Sequence, residues 1–355
     1  MELVFYFLIS LFAILIACII FSNSVEWLGA KLNLSHGITG SLLAAVGTAL
    51  PETVVPLVAI FWGINNENLL KILTGKADTF NSVNQISMGA IIGAPFMLST
   101  VAFFLIGFSS WVYFKSGRRK SKKITMDKTV LERDLTFFIL SFSLGFLAIF
   151  LEHSFRVFIG ILMIFIYSYY VYLTIKEETG GKYKGEELEE NLDDFLLCKL
   201  LPFLKPTIFL ISLQLIISLV FLVYSAHHFV EVITEISNNL NFPAFIISLL
   251  LTPLATELPE KFNSWMWIRQ KKDTLAVGNI SGALVFQSTF PVTIGLLFTS
   301  WHLNTLISYA TFAFCLINAM IVLISLKKNK LSYKTFLFCG IFYLVYLALI
   351  FCRCR

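Results

Sequence analysis

A short motif that ends in a glutamate occurs twice within apolar stretches of the chain. The pattern T-x-L-P-E spans Thr48 to Glu52 and recurs from Thr256 to Glu260. A carboxylate inside an apolar membrane helix is costly unless it is neutralised, so it indicates a functional site. Each threonine precedes its glutamate by four residues, and on a helix the two side chains therefore share one face. The repeated motif predicts a site at which two carboxylates and two threonines meet a cation.

The proline before each glutamate strengthens this prediction. Pro51 and Pro259 each remove a backbone N–H and clash with the carbonyl four residues back, so we expect a kinked or broken helix with free carbonyls. Carboxylates, hydroxyls and carbonyls together form a hard oxygen cage, and calcium takes about 6 to 8 oxygen ligands. Two carboxylates balance one divalent cation, two monovalent cations or two protons. Exchange of one for the other is the chemistry of an antiporter.

The composition indicates what kind of protein carries the motif. Of 355 residues, 57% are hydrophobic and 14% charged, and the mean hydropathy is +0.80, which predicts an integral membrane protein. At about 20 apolar residues per span, the length accommodates about ten spans and no sizeable water-soluble domain. We expect no nucleic acid partner. The ten apolar runs lie at about residues 3–22, 38–63, 84–113, 135–151, 155–175, 206–229, 242–268, 275–298, 304–326 and 333–352.

The distribution of positive charge predicts the orientation of these spans. Of the 27 Lys and Arg residues, 21 fall in one set of alternate connections and five in the other. Basic loops stay on the cytoplasmic side, so both termini are predicted outside. The most hydrophilic stretch, 176–205, contains eight Asp and Glu residues. It separates a first five-helix repeat, 1–175, from a second, 206–355, as a cytoplasmic acidic loop.

Two halves with an odd number of spans start from opposite faces of the membrane, so related halves are inverted relative to each other. Residues 37–52 and 245–260 share seven identities in sixteen positions and place T-x-L-P-E in spans 2 and 7. The fold class is therefore predicted as an all-α polytopic membrane protein with ten transmembrane helices, two inverted five-helix repeats, and broken helices 2 and 7.

Spans 3 and 8 also correspond. Gly89-x-x-x-Gly93 matches Gly278-x-x-x-Gly282, a spacing that lets spans 3 and 8 approach spans 2 and 7 closely. Beyond these glycines, only Gln287 offers a polar side chain at the equivalent place. Gln287 is either a cation ligand or a bridge between helices.

These motifs resemble those of the cation/calcium exchanger superfamily, the sodium/calcium exchangers and their prokaryotic relatives. That superfamily has ten spans, inverted halves, and two repeats of G-T-S-x-P-E followed by G-N-x-x-G-S-N-x-x-N. Residues 47–52 and 255–260 match the first pattern, and residues 278–283 match the start of the second. The resemblance implies that Glu52 and Glu260 are the central calcium ligands and that the carbonyls of Thr48 and Thr256 assist.

The chain departs from the superfamily pattern where the resemblance implies sodium ligands. At least four side-chain oxygens are missing, because Ala49, Glu257, Ala94 and Ala283 replace serines, and Leu98 replaces an Asn or Asp. This makes sodium coupling doubtful. Glu257 and Lys261 are additions spaced i,i+4, which can pair with each other. Otherwise Lys261 acts as a built-in cation, or Glu257 carries a coupled proton.

The predicted function is secondary active antiport of calcium, or another divalent cation, for protons or sodium by alternating access. The alternative is a transport-inactive relative that serves as a membrane scaffold or sensor. No enzyme is predicted, since H-E-x-x-H, G-x-S-x-G and D-D-x-x-D patterns are missing. We expect no cofactor besides the transported cation, and no partners beyond metal cations and membrane lipid, with no obligate protein partner. The predicted location is the plasma membrane of a prokaryote.

Overall fold

The regular structure of this chain is helical throughout the part that the computed structural model describes. The described residues are 2–31, 45–62, 82–119, 121, 123, 124, 126–179, 194–200, 205–240, 242–303 and 305–353. Some helical residues are described by their backbone alone, among them 45–51, 255 and 259. The acidic run at the centre of the 176–205 stretch lies outside the described residues, so its predicted loop structure remains a prediction.

Thirteen α-helices occur within the described residues. They are α1 (Glu2–Lys31), α2 (Ala45–Trp62), α3 (Ser82–Met97), α4 (Phe103–Lys115), α5 (Lys128–Leu147), α6 (His153–Thr179), α7 (Leu196–Leu200), α8 (Ile208–Leu240), α9 (Ala244–Thr256), α10 (Leu258–Arg269), α11 (Asp273–Phe298), α12 (Leu306–Lys327) and α13 (Tyr333–Arg353). A π-helix, Leu98–Ala102, joins α3 to α4 into one long helix, and a 3-10 turn, Ala148–Phe150, follows α5.

Eight helical stretches of the described chain are long and apolar enough to cross a membrane, which agrees with a multi-pass integral membrane protein. They are Leu3–Gly29, Asn84–Lys115, Lys128–Phe150, His153–Lys176, Ile208–Asn239, Asp273–Phe298, Leu306–Lys327 and Tyr333–Cys352. Two shorter apolar helical segments, Glu52–Phe61 and Ala244–Leu254, fall in the predicted spans 2 and 7.

The two motif-bearing segments differ at their prolines. In the second copy, α9 ends at Thr256, Glu257 stands between helices, and α10 begins at Leu258. Pro259 lies in the first turn of α10, where its missing N–H has no cost. In the first copy, α2 runs from Ala45 to Trp62 through Pro51. The expected break therefore occurs in span 7 but not in span 2, because packed neighbours in a membrane bundle let a helix tolerate one missing backbone donor.

The helices pack in corresponding pairs from the two halves. The helix α1 lies along α8, α2 packs on α11, and α9 packs on α3. In the same way α4 lies against α13, and α11 lies against α6. If each helix is replaced by its counterpart in the other half, the pair α1–α8 maps onto itself. The pair α2–α11 then maps onto α9–α3, and the pair α4–α13 maps onto α11–α6. Such pairing is what two structurally related halves produce.

The buried apolar residues form two clusters. The larger cluster joins α3, α4, α5, α6, α9, α10, α11, α12 and α13. The smaller cluster joins α1 and α8 to the inner face of α2 and the start of α9. The long pair α1 and α8 thus packs separately from the main core and covers the motif-bearing helices. The short helix α7 is tied to this pair, because Leu196 N donates to Asn23 of α1 and Leu197 N donates to Gln214 of α8.

Candidate functional site

The two glutamates of the repeated motif lie together in the interior. Glu52 of α2 is 2% exposed and Glu260 of α10 is 0% exposed, and the two carboxylates interact electrostatically. Neither oxygen of Glu52 makes a hydrogen bond of standard geometry with a described residue. Buried polar atoms in folded proteins are normally satisfied. The Glu52 carboxylate is therefore a buried acceptor that a cation could satisfy.

The threonine of the second motif lies beside this carboxylate. Thr256 ends α9 and is fully buried. Its hydroxyl donates to the carbonyl of Thr252 at 3.1 Å and lies close enough to Glu52 to interact with it. The hydroxyl oxygen can therefore add a ligand to a cation at Glu52. For Thr48, α2 sets the predicted one-turn spacing before Glu52, but the Thr48 side chain lies outside the described residues.

Glu257 and Lys261 form a buried ion pair next to the two glutamates. Glu257 Oε2 and Lys261 Nζ are 2.8 Å apart, and both side chains are buried. The ammonium group also donates to the Pro253 carbonyl of α9 at 3.4 Å. Glu257 interacts electrostatically with Glu52. Of the alternatives that the sequence left open for Glu257, the structure shows the pairing with Lys261.

Two amides of α11 are buried with no hydrogen-bond partner among the described residues. They are Gln287, which the sequence singled out, and Asn279, which matched the motif without being assigned a role. A buried amide left unpaired costs about 1 to 3 kcal/mol. Both side chains therefore have unused ligand oxygens on a helix that packs against α2 and α10.

The helix α1 also faces the acids. Cys18 is fully buried on α1 and interacts electrostatically with both Glu52 and Glu260. Sequence analysis missed this residue because a lone cysteine in an apolar run resembles any small core residue. Its position shows that α1 forms one wall of the site.

A fourth buried acid provides a contrast. Asp134 of α5 accepts hydrogen bonds from Ser281 Oγ at 2.6 Å, Tyr170 Oη at 3.0 Å and Arg133 Nη2 at 3.0 Å. Every donor around it is supplied by the protein, so Asp134 has a structural partner set, whereas the Glu52 oxygens do not. The surroundings of the Glu52 carboxylate thus differ from those of Asp134.

The ligand count limits how a metal ion could bind. Within the described residues, no three His, Cys, Asp or Glu side chains converge closely enough to hold a metal ion. A cation between Glu52 and Glu260 would therefore complete its coordination with hydroxyl, amide, carbonyl or water oxygens. This favours a hard cation such as calcium over a soft metal that prefers sulfur and imidazole ligands.

Comparisons with known proteins agree with this architecture. The family model described as sodium/calcium exchanger protein matches residues 2–176 and 210–352. The crystal structure of the H+/Ca2+ exchanger CAX is similar with a TM-score of 0.71 and 17% identity, over 98% of this chain and 82% of that chain. The sodium-calcium exchanger NCX_Mj, in a structure soaked with Na+ and Ca2+, is similar with a TM-score of 0.59 and 18% identity, over 98% of both chains. A third structure, NCX_Mj soaked with Na+ and Sr2+, gives 0.60 and 19%, over 98% of this chain and 97% of that one. No curated protein matches the sequence.

Proposed function

This chain belongs to the sodium/calcium exchanger protein family, whose members are transporters and not enzymes, and we propose that it exchanges calcium or another divalent cation for protons or sodium. The observation that carries this proposal is the burial of Glu52 and Glu260 within range of electrostatic interaction. The two carboxylates come from opposite halves of the chain, and no described residue donates a hydrogen bond of standard geometry to Glu52. A divalent cation neutralises both acids.

The proposed topology is ten spans in two inverted five-helix repeats. The matching pairs of helices support this arrangement, as do the apolar helical segments at the predicted positions of spans 2 and 7. The asymmetry in Lys and Arg supports placing both termini outside. By the same proposal the chain resides in the plasma membrane of a prokaryote.

We assign the cation ligands from the geometry and the sequence together. Glu52 and Glu260 supply the charge, and Thr48, Thr256 and Gln287 supply neutral oxygens. Glu257 contributes through its charge rather than by direct ligation, because Lys261 already binds its carboxylate. The two uncompensated negative charges of the site are then balanced by one divalent cation or by two monovalent cations.

The proton is the coupling ion that we favour. The alanines at positions 49, 94 and 283 bring no side-chain oxygen to a sodium ion, whereas two carboxylates can accept two protons without further ligands.

The separate packing of α1 and α8 supports an alternating-access mechanism. This pair contacts α2 and the start of α9 through its own apolar cluster and is not part of the larger core. A sliding movement of the pair would uncover the acids first from one side and then from the other. Because competing cations share the same carboxylates, binding of one requires release of the other, which enforces exchange.

The proposal is tested with purified protein in sealed vesicles. Uptake of calcium, manganese and magnesium is measured against an imposed proton or sodium gradient. We expect calcium uptake driven by the proton gradient, and loss of uptake in Glu52→Gln and in Glu260→Gln. The matched control is Glu132→Gln, since Glu132 forms an exposed ion pair with Lys327 and such pairs contribute little.

Two results would contradict the proposal in different ways. Uptake at the wild-type rate in both glutamine variants would show that the site is elsewhere. A wild-type protein that transports none of these cations under either gradient would instead favour the transport-inactive scaffold or sensor, for which the described residues offer no positive support.

Cys18 offers an independent probe of alternating access. In a protein whose other five cysteines are replaced by serine, alkylation of Cys18 reports access to the wall of the site. We expect saturating calcium to slow the alkylation, because a bound cation holds α1 against α2 and α10. An alkylation rate that calcium leaves unchanged, in protein that transports, would place the moving element elsewhere.

A further inference from the structure

The Glu257–Lys261 ion pair stands at the interruption between α9 and α10. Glu257 is the residue between the two helices, and Lys261 follows Glu260 in α10. The ammonium group of Lys261 contacts Glu257 Oε2 at 2.8 Å and the Pro253 carbonyl at 3.4 Å. It is therefore held by a carboxylate and by a carbonyl oxygen of α9, the kinds of ligand that a dissolved monovalent cation takes.

The charges around the site explain why this position matters. Glu52, Glu257 and Glu260 would carry three negative charges when ionised, and Lys261 carries one positive charge. The remaining imbalance equals one divalent cation. Removal of the lysine would leave a third charge without compensation in a fully buried place, which is strongly unfavourable.

We propose that the ammonium group of Lys261 is a tethered monovalent cation that occupies the position on Glu257 and thereby restricts the exchanger to a cargo of two charges, independent of sodium. The inference rests on the proposed function. Lys261 is then a specificity-determining residue that acts through Glu257 and does not itself bind the cargo. The tether matters because the ammonium cannot leave during the cycle, whereas a dissolved ion can.

The neighbouring contacts distinguish this role from ordinary packing. A lysine needed only for helix stability would interact with a surface carboxylate or with solvent, and such a pair contributes little. Here both partners are buried, and Glu257 interacts electrostatically with Glu52. The energy of the ion pair therefore depends on the charge at Glu52. A change of charge at the pair must therefore alter which cations the acids can bind.

The test uses four variants that change the charge in steps. Lys261→Gln leaves three acids, Glu257→Gln leaves two acids and the lysine, and the double variant restores the wild-type balance. Lys261→Arg keeps the charge and is the conservative control. Binding of radioactive sodium and of radioactive calcium to detergent-purified protein is measured at equilibrium, and calcium uptake into vesicles is measured in sodium and in N-methylglucamine buffers.

We expect Lys261→Gln to bind sodium at least about tenfold more tightly than the wild type, because a buried carboxylate without its partner attracts a replacement cation. Its calcium uptake should become dependent on sodium. Glu257→Gln should bind calcium at least about tenfold more weakly, because one positive charge is in excess. The double variant should regain wild-type calcium binding and remain independent of sodium, as should Lys261→Arg.

The outcomes separate this inference from the proposed function. If the wild type transports calcium but Lys261→Gln binds no additional sodium, the inference is wrong and the proposed function stands. If Lys261→Gln does not fold, the inference still fails when Glu257→Gln binds calcium like the wild type, or when the double variant recovers nothing. A wild type without transport contradicts the proposed function, whereas the sodium-binding measurement tests Lys261 without requiring transport.

Discussion

The two copies of the T-x-L-P-E motif place equivalent acids in different local structures. Glu52 lies within the continuous helix α2, and no described residue donates a standard hydrogen bond to it. Glu260 lies in the first turn of α10, after an interruption at Glu257 that carries a buried ion pair with Lys261. The repeated motif thus places a buried glutamate in both halves, but the helix geometry and the ion pairing around the two glutamates differ. If Lys261 restricts the cargo as proposed, selectivity is set at the second copy.

The helices that follow the two motifs are also held in different ways. In α3, a Cβ added to Gly93 would meet the Leu249 carbonyl of α9, so the two backbones are in direct contact. In α11, a Cβ added to Gly278 would meet nothing closer than Val130 Cγ1 at 3.9 Å. The close approach expected from the second glycine pattern is thus wrong at Gly278. That helix is instead tied to α5 through Ser281 and Asp134.

The largest expected effect on stability concerns Asp134 of α5, which accepts a hydrogen bond from Ser281 of α11. Asp134→Asn removes the charge that Arg133 pairs with, and loss of one partner from a buried pair costs about 3–5 kcal/mol. The melting temperature of the detergent-purified protein should fall substantially, while Glu132→Gln should leave it unchanged. Equal melting temperatures for Asp134→Asn and the wild type would show that α11 is held by apolar packing alone.

The second effect compares the two acids directly. A bound cation stabilises the folded protein by about 2.7 kcal/mol when its concentration is a hundred times its dissociation constant. Calcium should therefore raise the melting temperature of the wild type, and Glu52→Gln and Glu260→Gln should each lose this rise to the same extent. If only one variant loses it, the two acids do not share the cation, and the difference between the motif copies extends to binding.

The third effect compares the glycines of α3 and α11. Gly93→Ala should destabilise the protein by about 1–3 kcal/mol, because the new methyl group meets the α9 backbone, which cannot move aside like a flexible side chain. Gly278→Ala should be neutral or slightly stabilising, since alanine favours the helix and the space is open. Thermal unfolding of both variants measures the contrast, and equal melting temperatures would contradict it.

The smallest effect concerns the contact between α6 and the segment that follows α11. Arg156 of α6 contacts His302 Nδ1 at 3.2 Å. Burial lowers the pKa of His302, and the nearby Arg156 charge lowers this pKa further. Because the folded-state pKa lies below the ordinary value, His302 supports folding above that ordinary value, and the support is lost as the pH falls through the folded-state pKa. The melting temperature of the wild type should therefore fall as the pH is lowered, and His302→Gln should make this fall smaller. If the fall is the same in the variant, groups other than His302 cause it.

Sequence analysis located most of the helices but did not predict which proline interrupts its helix or which buried hydrogen bonds hold the helices together. Each of the ten apolar runs is mostly helical over its described residues, because any segment that crosses a membrane must satisfy its own backbone hydrogen bonds. The interruption near Pro259 was also predicted, whereas Pro51 does not interrupt α2. Proline chemistry is identical in the two copies, so the outcome depends on the neighbours that hold each helix. The polar network of Asp134 was likewise missed, since its partners Tyr170 and Ser281 are distant in sequence.

The order of the apolar segments, the duplicated acid motif and the membership of an exchanger family were determined locally, by side-chain types and their spacing. Hydrophobic burial in lipid and the cost of an intramembrane carboxylate act on each segment by itself, which is why the chain reveals them directly. Two features depended on how the helices assemble. They are the meeting of Glu52 with Glu260 and the placement of Cys18 against both acids. Each joins groups whose separation is set by packing between helices.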